Sequence, residues 1–422
     1  MTSKKRLLRR VSSPGHDASA STQPAASTDG SQPGPSNGYV GIRNLVNPLW
    51  CYHGFRLAVI TLTCFGVIMV FSSSSVTMVS EGLSPWSQAI SQFIYCVMGL
   101  VLGVAAMYMP ADRFRRYAGM LLGLALVLQL ITFTPLGISV NGNAGWIGIS
   151  GKFTMQPAEF MKLMLCLWLP RAMSMSARRY ERDGMLAYVW PALFFGLCLL
   201  AVLGGKDLGT AMIVIMIGAA AFLVGGFPMK WLLGIVGVLG VLVGLIVVTS
   251  PNRLNRVLAA YQSCTSEQAQ KVCYQAIHAK YAMASGGFFG VGIGNSKEKW
   301  NYLPEAHNDF IFAIIGEETG FVGAALVILL FVVIGWCLIC VALHMRDQYA
   351  TLVLVCIAIW IVGQGLVNIM VVVGLLPVMG VPMPFVSAGG SSLIMCLMAA
   401  GVAISMMKEQ DQIKDYVTAL SS

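Results

Sequence analysis

The stretch from Ser285 to Gly320 reads SGGFFGVGIGNSKEKWNYLPEAHNDFIFAIIGEETG and runs directly into FVGAALVILLFVVIGWCLICVAL, which ends at Leu343. Between Phe310 and Leu343 only Glu317 and Glu318 are charged, and the run exceeds the roughly 20 residues needed to cross a bilayer as helix. A membrane helix is expected there, with the two acids facing a bundle interior, because charge in lipid is costly. Just before it Glu305, His307 and Asp309 alternate along the chain, and Asp309 is the last ionisable residue before FIFAII. A carboxylate at the mouth of a membrane helix loses water, which raises its pKa, whereas the helix N-terminus lowers it. Asn308 and Asp309 are also good helix caps. The residues alone therefore leave cap and catalytic group both open.

Working outward, 57% of the 422 residues are hydrophobic, 11% are charged and the mean hydropathy is +0.74. These values exclude an ordinary soluble domain and predict a multi-pass membrane protein. Long apolar runs without period-two alternation predict helices and not a barrel. The fold class expected is an all-α membrane bundle of about ten transmembrane helices. The net charge of +9 is spread over short loops and is not interleaved with aromatic residues, so it reads as a topology signal and not as a nucleic-acid surface. Of 11 cysteines, nine lie in or beside apolar segments. Cys264 and Cys273 share the long polar loop, where an external position would allow a disulfide. No cysteine spacing supports a metal site.

Residues 1–45 begin with the basic run KKRLLRR and are rich in Ser, Pro, Gly and Gln; a disordered cytoplasmic tail is expected. Residues 46–408 form the transmembrane domain, and 409–422 a cytoplasmic C-terminal tail. Basic turns at Arg113, Arg115 and Arg116 and at Arg171, Arg178, Arg179 and Arg182 place those ends in the cytoplasm. A large extracytoplasmic loop, about 250–308, separates spans seven and eight. Its excess of basic residues suits an anionic ligand or a merely solvated surface. Glu159 and Lys162 lie three residues apart after Pro157, either as an internal neutralising pair or as part of a polar cavity. In PVMGVPMPFVSAGGSS, three prolines forbid regular helix, which predicts a packed or re-entrant segment lining a cavity.

NGNAGWIGISG, QPAEF, KDLGTA, the long stretch and PFVSAGGSS, in this order along the chain, resemble the SEDS family (shape, elongation, division, sporulation) of bacterial cell-wall proteins over about residues 50 to 408. GNSKEKWNYLPEAH is closer to the division branch than to the elongation branch, which usually has Arg at the position of Ala306. The resemblance implies a peptidoglycan glycosyltransferase that polymerises lipid II on the outer face of the bacterial plasma membrane, at the division septum. It also implies a class B penicillin-binding protein and other division proteins as partners, within membrane lipid and without nucleic acid. The family's essential loop aspartate falls on Asp309, as catalytic base. Lys297, Lys299, Arg253 and Arg256 are candidates to meet the leaving pyrophosphate, ahead of a divalent cation (Mg or Mn) held with Glu305 or Asp309. Glu305, His307, Lys206, Asp207, Ser387 and Ser391 complete the expected substrate-binding set. The chain departs from the family pattern at Gly145, Ala158, Lys206 and Asn308. Two other readings compete: a lipid II flippase using Glu159, Lys162, Glu317 and Glu318, and a non-catalytic scaffold for the crosslinking partner.

Overall fold

The computed structural model describes residues 41–140, 143–149, 153–249 and 273–421, with residues 254 and 258 between them. The expected tail 1–45 therefore lies almost wholly outside the described residues, as do Arg253, Arg256 and Cys264. Helix α1 (Pro48–Ser80) begins with Pro48 and with Asn47 accepting from Leu49 N. Helices α2 (Ser87–Tyr108) and α3 (Ala111–Ile131) follow through short turns.

The segment after α3 forms a small antiparallel sheet that an all-α expectation did not include, β1 (Gly137–Val140), β2 (Asn143–Ile149) and β3 (Phe153–Met155), in that order. Backbone pairing of Ile138 with Trp146 and of Gly148 with Thr154 satisfies polar groups that a bare loop would leave to water. The fold is thus helical with one β meander at the end of the bundle. Pro157 then opens α4 (Pro157–Asp183), followed by α5 (Val189–Gly204), α6 (Leu208–Val224) and α7 (Met229–Val248). Within the loop lies α8 (Tyr274–Ser285), and α9 (Ile311–Leu343), α10 (Gln348–Val372), α11 (Gly390–Met407) and α12 (Asp411–Ser421) complete the chain.

Among the described residues, seven helical segments are long and apolar enough to cross a membrane, one of them running from α4 into α5, and α6 and the Met229–Leu242 part of α7 supply shorter apolar helices. Helices α10 and α11 form the centre, with 72% and 78% of their apolar windows buried, against 28% for α2 and α3 at the rim. Where α2 crosses α11, a Cβ on Gly401 would lie 2.0 Å from the Gly103 carbonyl oxygen, so only glycine permits this approach. Among the described residues nine cysteines are free and Cys273 is disulfide-bonded.

Helix α9 is broken at Gly320, whose φ of 68° suits glycine. The glycine-rich string mends the break: Val291 N and Gly292 N donate to Glu317 O and Glu318 O (both 3.0 Å), and Phe321 N and Val322 N donate to Gly287 O and Phe288 O. This explains the glycines, since a Cβ on Gly286 would lie 1.9 Å from Gly316 O.

Candidate active site

Glu317 and Glu318 are buried, as their cost in lipid requires. Glu317 accepts from the Ser296 hydroxyl and from Lys297 N (2.9 Å), holding the loop before Asp309. Glu318 accepts from Ser72 (2.8 and 2.6 Å) and pairs with Lys299 Nζ at 2.9 Å. Lys299 is only 3% exposed and also reaches Ser72. The Lys299 ammonium, expected to meet the leaving pyrophosphate, is therefore engaged by a buried acid. Lys297, by contrast, is exposed.

A second buried network fixes the position of Asp309. Lys162 Nζ binds Glu159 Oε1 (2.7 Å) and Gln364 Oε1 (2.8 Å), while Gln364 Nε2 donates to Pro382 O (2.8 Å). One turn further along α10, Asn368 Nδ2 donates to Val381 O and to Asp309 O, both at 2.7 Å. Glu159 and Lys162 are each 1% exposed, so of the two readings left open the internal neutralising pair holds. The proline-rich segment 373–389 is irregular and packed, as its prolines require, and it is tied to the Asp309 turn from its other end. Ser387 Oγ donates to Asn308 O (2.7 Å) and accepts from Met383 N (2.7 Å), and Ala388 N donates to His307 O (2.9 Å). Ser387 is thus a staple between the two segments. Gln92 Nε2 on α2 donates to the Ser387 carbonyl oxygen at 3.2 Å.

The turn itself ends at Phe310, one residue before α9. Asp309 is half-buried, and its carboxyl is raised to about 7, first by burial and then by the nearby charges of Glu305 and Asp207. Glu305 has a φ of 57° and accepts from Asn308 Nδ2. Burial holds the His307 imidazole below its ordinary value, against Glu305 and Glu81, which raise it; its Nδ1 is buried with no partner among the described residues. Asp207 caps α6, accepting from Thr210 N (2.9 Å) and Thr210 Oγ1 (2.8 Å), and also takes Gln156 Nε2 at 2.9 Å. Beside it Lys206 is exposed in a left-handed turn with φ 63°. Ser391 Oγ accepts from Gln156 N at 3.2 Å.

Three of the expected residues, Asp309, Glu305 and Asp207, are therefore in electrostatic contact although they come from separate segments. Lys299 and Ser387 serve the scaffold, and Arg253 and Arg256 lie outside the described residues. The sequence offered Gln156 only as part of QPAEF, without a role, and gave no signal for Gln92, whose side chain is uncharged, or for Glu81, which lies next to α1. Among the described residues no group of three or more His, Cys, Asp or Glu is arranged to hold a metal ion, and the Asp207 oxygens are already engaged.

A buried polar anchor beneath one carboxylate raised to neutrality, in a broken-helix membrane bundle, can be set beside known proteins. A family model described as "Cell cycle protein", for FtsW, RodA and SpoVE, matches residues 53–412. The chain belongs to this family. It is 33% identical over 374 residues to the probable peptidoglycan glycosyltransferase FtsW of Mycobacterium tuberculosis, covering 87% of this chain and 70% of that relative. To stage V sporulation protein E of Bacillus subtilis it is 34% identical over 365 residues, covering 83% and 96%. The fold is similar to a chain of a peptidoglycan synthase complex that coordinates polymerization and crosslinking, with a TM-score of 0.68 and 26% identity over 85% of this chain and 98% of that one. It is also similar to the rod shape determining protein RodA of Thermus thermophilus, with a TM-score of 0.62 and 25% identity over 85% and 97%. The family resemblance carried by the five motifs is borne out, and a multi-pass membrane protein follows from it and from the apolar helices.

Proposed function

We propose that Asp309 is the general base of a peptidoglycan glycosyltransferase that polymerises lipid II. The chain is a glycosyltransferase of the FtsW kind, acting in cell-wall synthesis during division. The observation that carries the role of Asp309 is its carboxyl, raised to about 7 and held by Asn368 through its own backbone. A base whose pKa lies near the working pH is present in the ionised form and still accepts a proton in the transition state.

In the reaction, the 4-hydroxyl of the acceptor sugar gives its proton to Asp309 as its oxygen forms a bond to the anomeric carbon of the donor chain. The bond from that carbon to the pyrophosphate breaks, and undecaprenyl pyrophosphate leaves with the electron pair. Positive charge for the leaving group comes from Lys206, Lys297, Arg253 and Arg256, and Lys299 is withdrawn from this set by its pairing with Glu318. His307, with Glu305, orders the turn that faces the acceptor.

Ten crossings, α1 to α7 and α9 to α11, place the Asp309 turn on the outer face and both termini in the cytoplasm, with the enzyme at the septum. Its partner is a class B penicillin-binding protein that crosslinks the new strand. Of the charges on which a transporter would rely, Glu159 is paired with Lys162, Glu318 with Lys299, and Glu317 is held by the Ser296 hydroxyl and the Lys297 N–H, which favours surface chemistry. Purified protein with its partner, supplied with lipid II, tests the reading: long glycan strands are expected from the wild type and none from Asp309→Asn at equal folding. Equal strands from both would return Asp309 to a helix cap.

A further inference from the structure

Helix α4 starts beside Asp207 and runs away from the Asp309 turn, so its last turns lie at the opposite, arginine-rich end of the bundle. There a cavity of about 290 Å³ opens between α3, α4 and α5, lined among others by Gly119, Trp168, Arg171, Met175, Arg179 and Pro191. Its walls are of two kinds. Met175 and Pro191 are apolar, and the absent side chain of Gly119 leaves space beside the indole of Trp168, since a Cβ there would come no nearer than 3.9 Å to Trp168 Nε1. Arg171 and Arg179 bring positive charge to the same space.

The protein cancels little of that charge: Arg171 and Arg179 have no ion pair of their own among the described residues, and Asp183, on which the Arg179 charge acts, is bound to Arg182. Arg115 is paired with Asp347 and Arg182 with Asp183. Arg171 donates through Nη1 only to backbone carbonyls, those of Arg115 (2.8 Å) and Arg116 (3.0 Å), which fix the guanidinium without neutralising it. Among the described residues neither Arg171 nor Arg179 has a carboxylate within ion-pair distance, and the Trp168 N–H has no acceptor. Two guanidiniums and an indole N–H therefore converge on one space with an apolar wall. We propose that this cavity binds the phosphate of an anionic phospholipid of the cytoplasmic leaflet, with the acyl chains along Met175 and Pro191. Basic pockets between membrane helices on that side select anionic headgroups, and arginine matches phosphate through its fork of donors. The proposal is independent of the role of Asp309.

Native mass spectrometry of the full chain, released from phosphatidylcholine nanodiscs and titrated with phosphatidylglycerol, cardiolipin, phosphatidylcholine or inorganic phosphate, tests it. Retained phosphatidylglycerol or cardiolipin is expected, with affinity at least about tenfold lower in Arg171→Gln/Arg179→Gln. Because Arg171 also bonds backbone, Arg179→Gln alone, at an exposed position, is measured beside it and is expected to weaken binding in the same direction. Arg178→Gln/Arg182→Gln, which removes two charges from the same helix outside the cavity, is expected to leave binding unchanged. Equal retention of phosphatidylcholine, equal loss in the control pair, or no loss in either cavity variant would overturn the proposal. Displacement of the lipid by millimolar inorganic phosphate would assign the cavity to a soluble phosphate and overturn it as well.

Discussion

Asp309 and Lys299 lie ten residues apart in the chain, and their environments send them to opposite tasks. The Asp309 carboxyl lies above the ordinary carboxylate value because burial, Glu305 and Asp207 all disfavour its charge. Polymerisation is therefore expected to rise with pH along a limb centred near 7, read from initial rates at saturating lipid II. Glu305→Gln removes a raising charge and should move that limb to lower pH; an unmoved limb would separate Glu305 from Asp309. The sign for stability is the reverse. Between about pH 4 and about pH 7 the folded protein holds a proton that the unfolded chain has lost, so this carboxyl's contribution falls as pH rises through that window. Asp309→Asn should lower the rate by at least about 10²-fold, the usual range for loss of a general base, and should raise the melting temperature at pH 7 while leaving it near the wild type's at pH 4, because the variant no longer carries the cost of this carboxyl. Lys299→Met should instead destabilise the protein by about 3–5 kcal/mol by stranding Glu318, and the double variant with Glu318→Met should recover much of this in thermal melts. Loss of rate with no change in melting would make Lys299 a substrate contact after all.

At the scale of elements, the site is assembled by two irregular pieces of backbone clamped to regular helices. The break in α9 at Gly320 is accepted only because the loop 287–292 supplies its hydrogen bonds. Gly320→Ala should cost about 1–3 kcal/mol, since φ is positive there and a Cβ would lie 2.3 Å from Gly290 N. On the other side, Asn368 bonds two buried carbonyls at once. Asn368→Leu is expected to cost about 1–3 kcal/mol in stability and to lower kcat more than KM for lipid II, because it frees the Asp309 turn. The helices themselves were legible: apolar length, Pro48, Pro157 and the Asp207 cap mark their starts. Both joints were not, because the partners of Gly320 and of Asn368 lie some 30 and 60 positions away by sequence number and no local pattern announces them.

For the whole molecule, the proposed ten crossings put the Asp309 turn and the arginine-rich ends on opposite sides of the membrane. A cysteine introduced at Trp300, which is exposed, should react in intact cells with an impermeant maleimide, whereas one at Arg178 should react only after permeabilisation. Labelling of both from outside would reverse or break the topology. The seven segments that meet the length criterion, the shorter α6 and the Met229–Leu242 part of α7 show why counting by hydropathy alone is difficult: α6 has 17 residues and is held by its neighbours more than by its length.

Composition and apolar runs by themselves determined that the chain is a helical membrane protein, because in lipid the backbone has few other ways to satisfy its polar groups. The motifs determined the family, and the position of Asp309 before an apolar helix marked it as the residue to watch. Tertiary structure alone decided which charges are available for chemistry. Lys299 and Lys297 are neighbours of the same type in one string, yet one is buried against Glu318 and the other is exposed, and Asp309 meets Glu305 and Asp207 only when distant segments pack. Ionisation depends on burial and on the charges nearby in space, and neither quantity is carried by position along the chain.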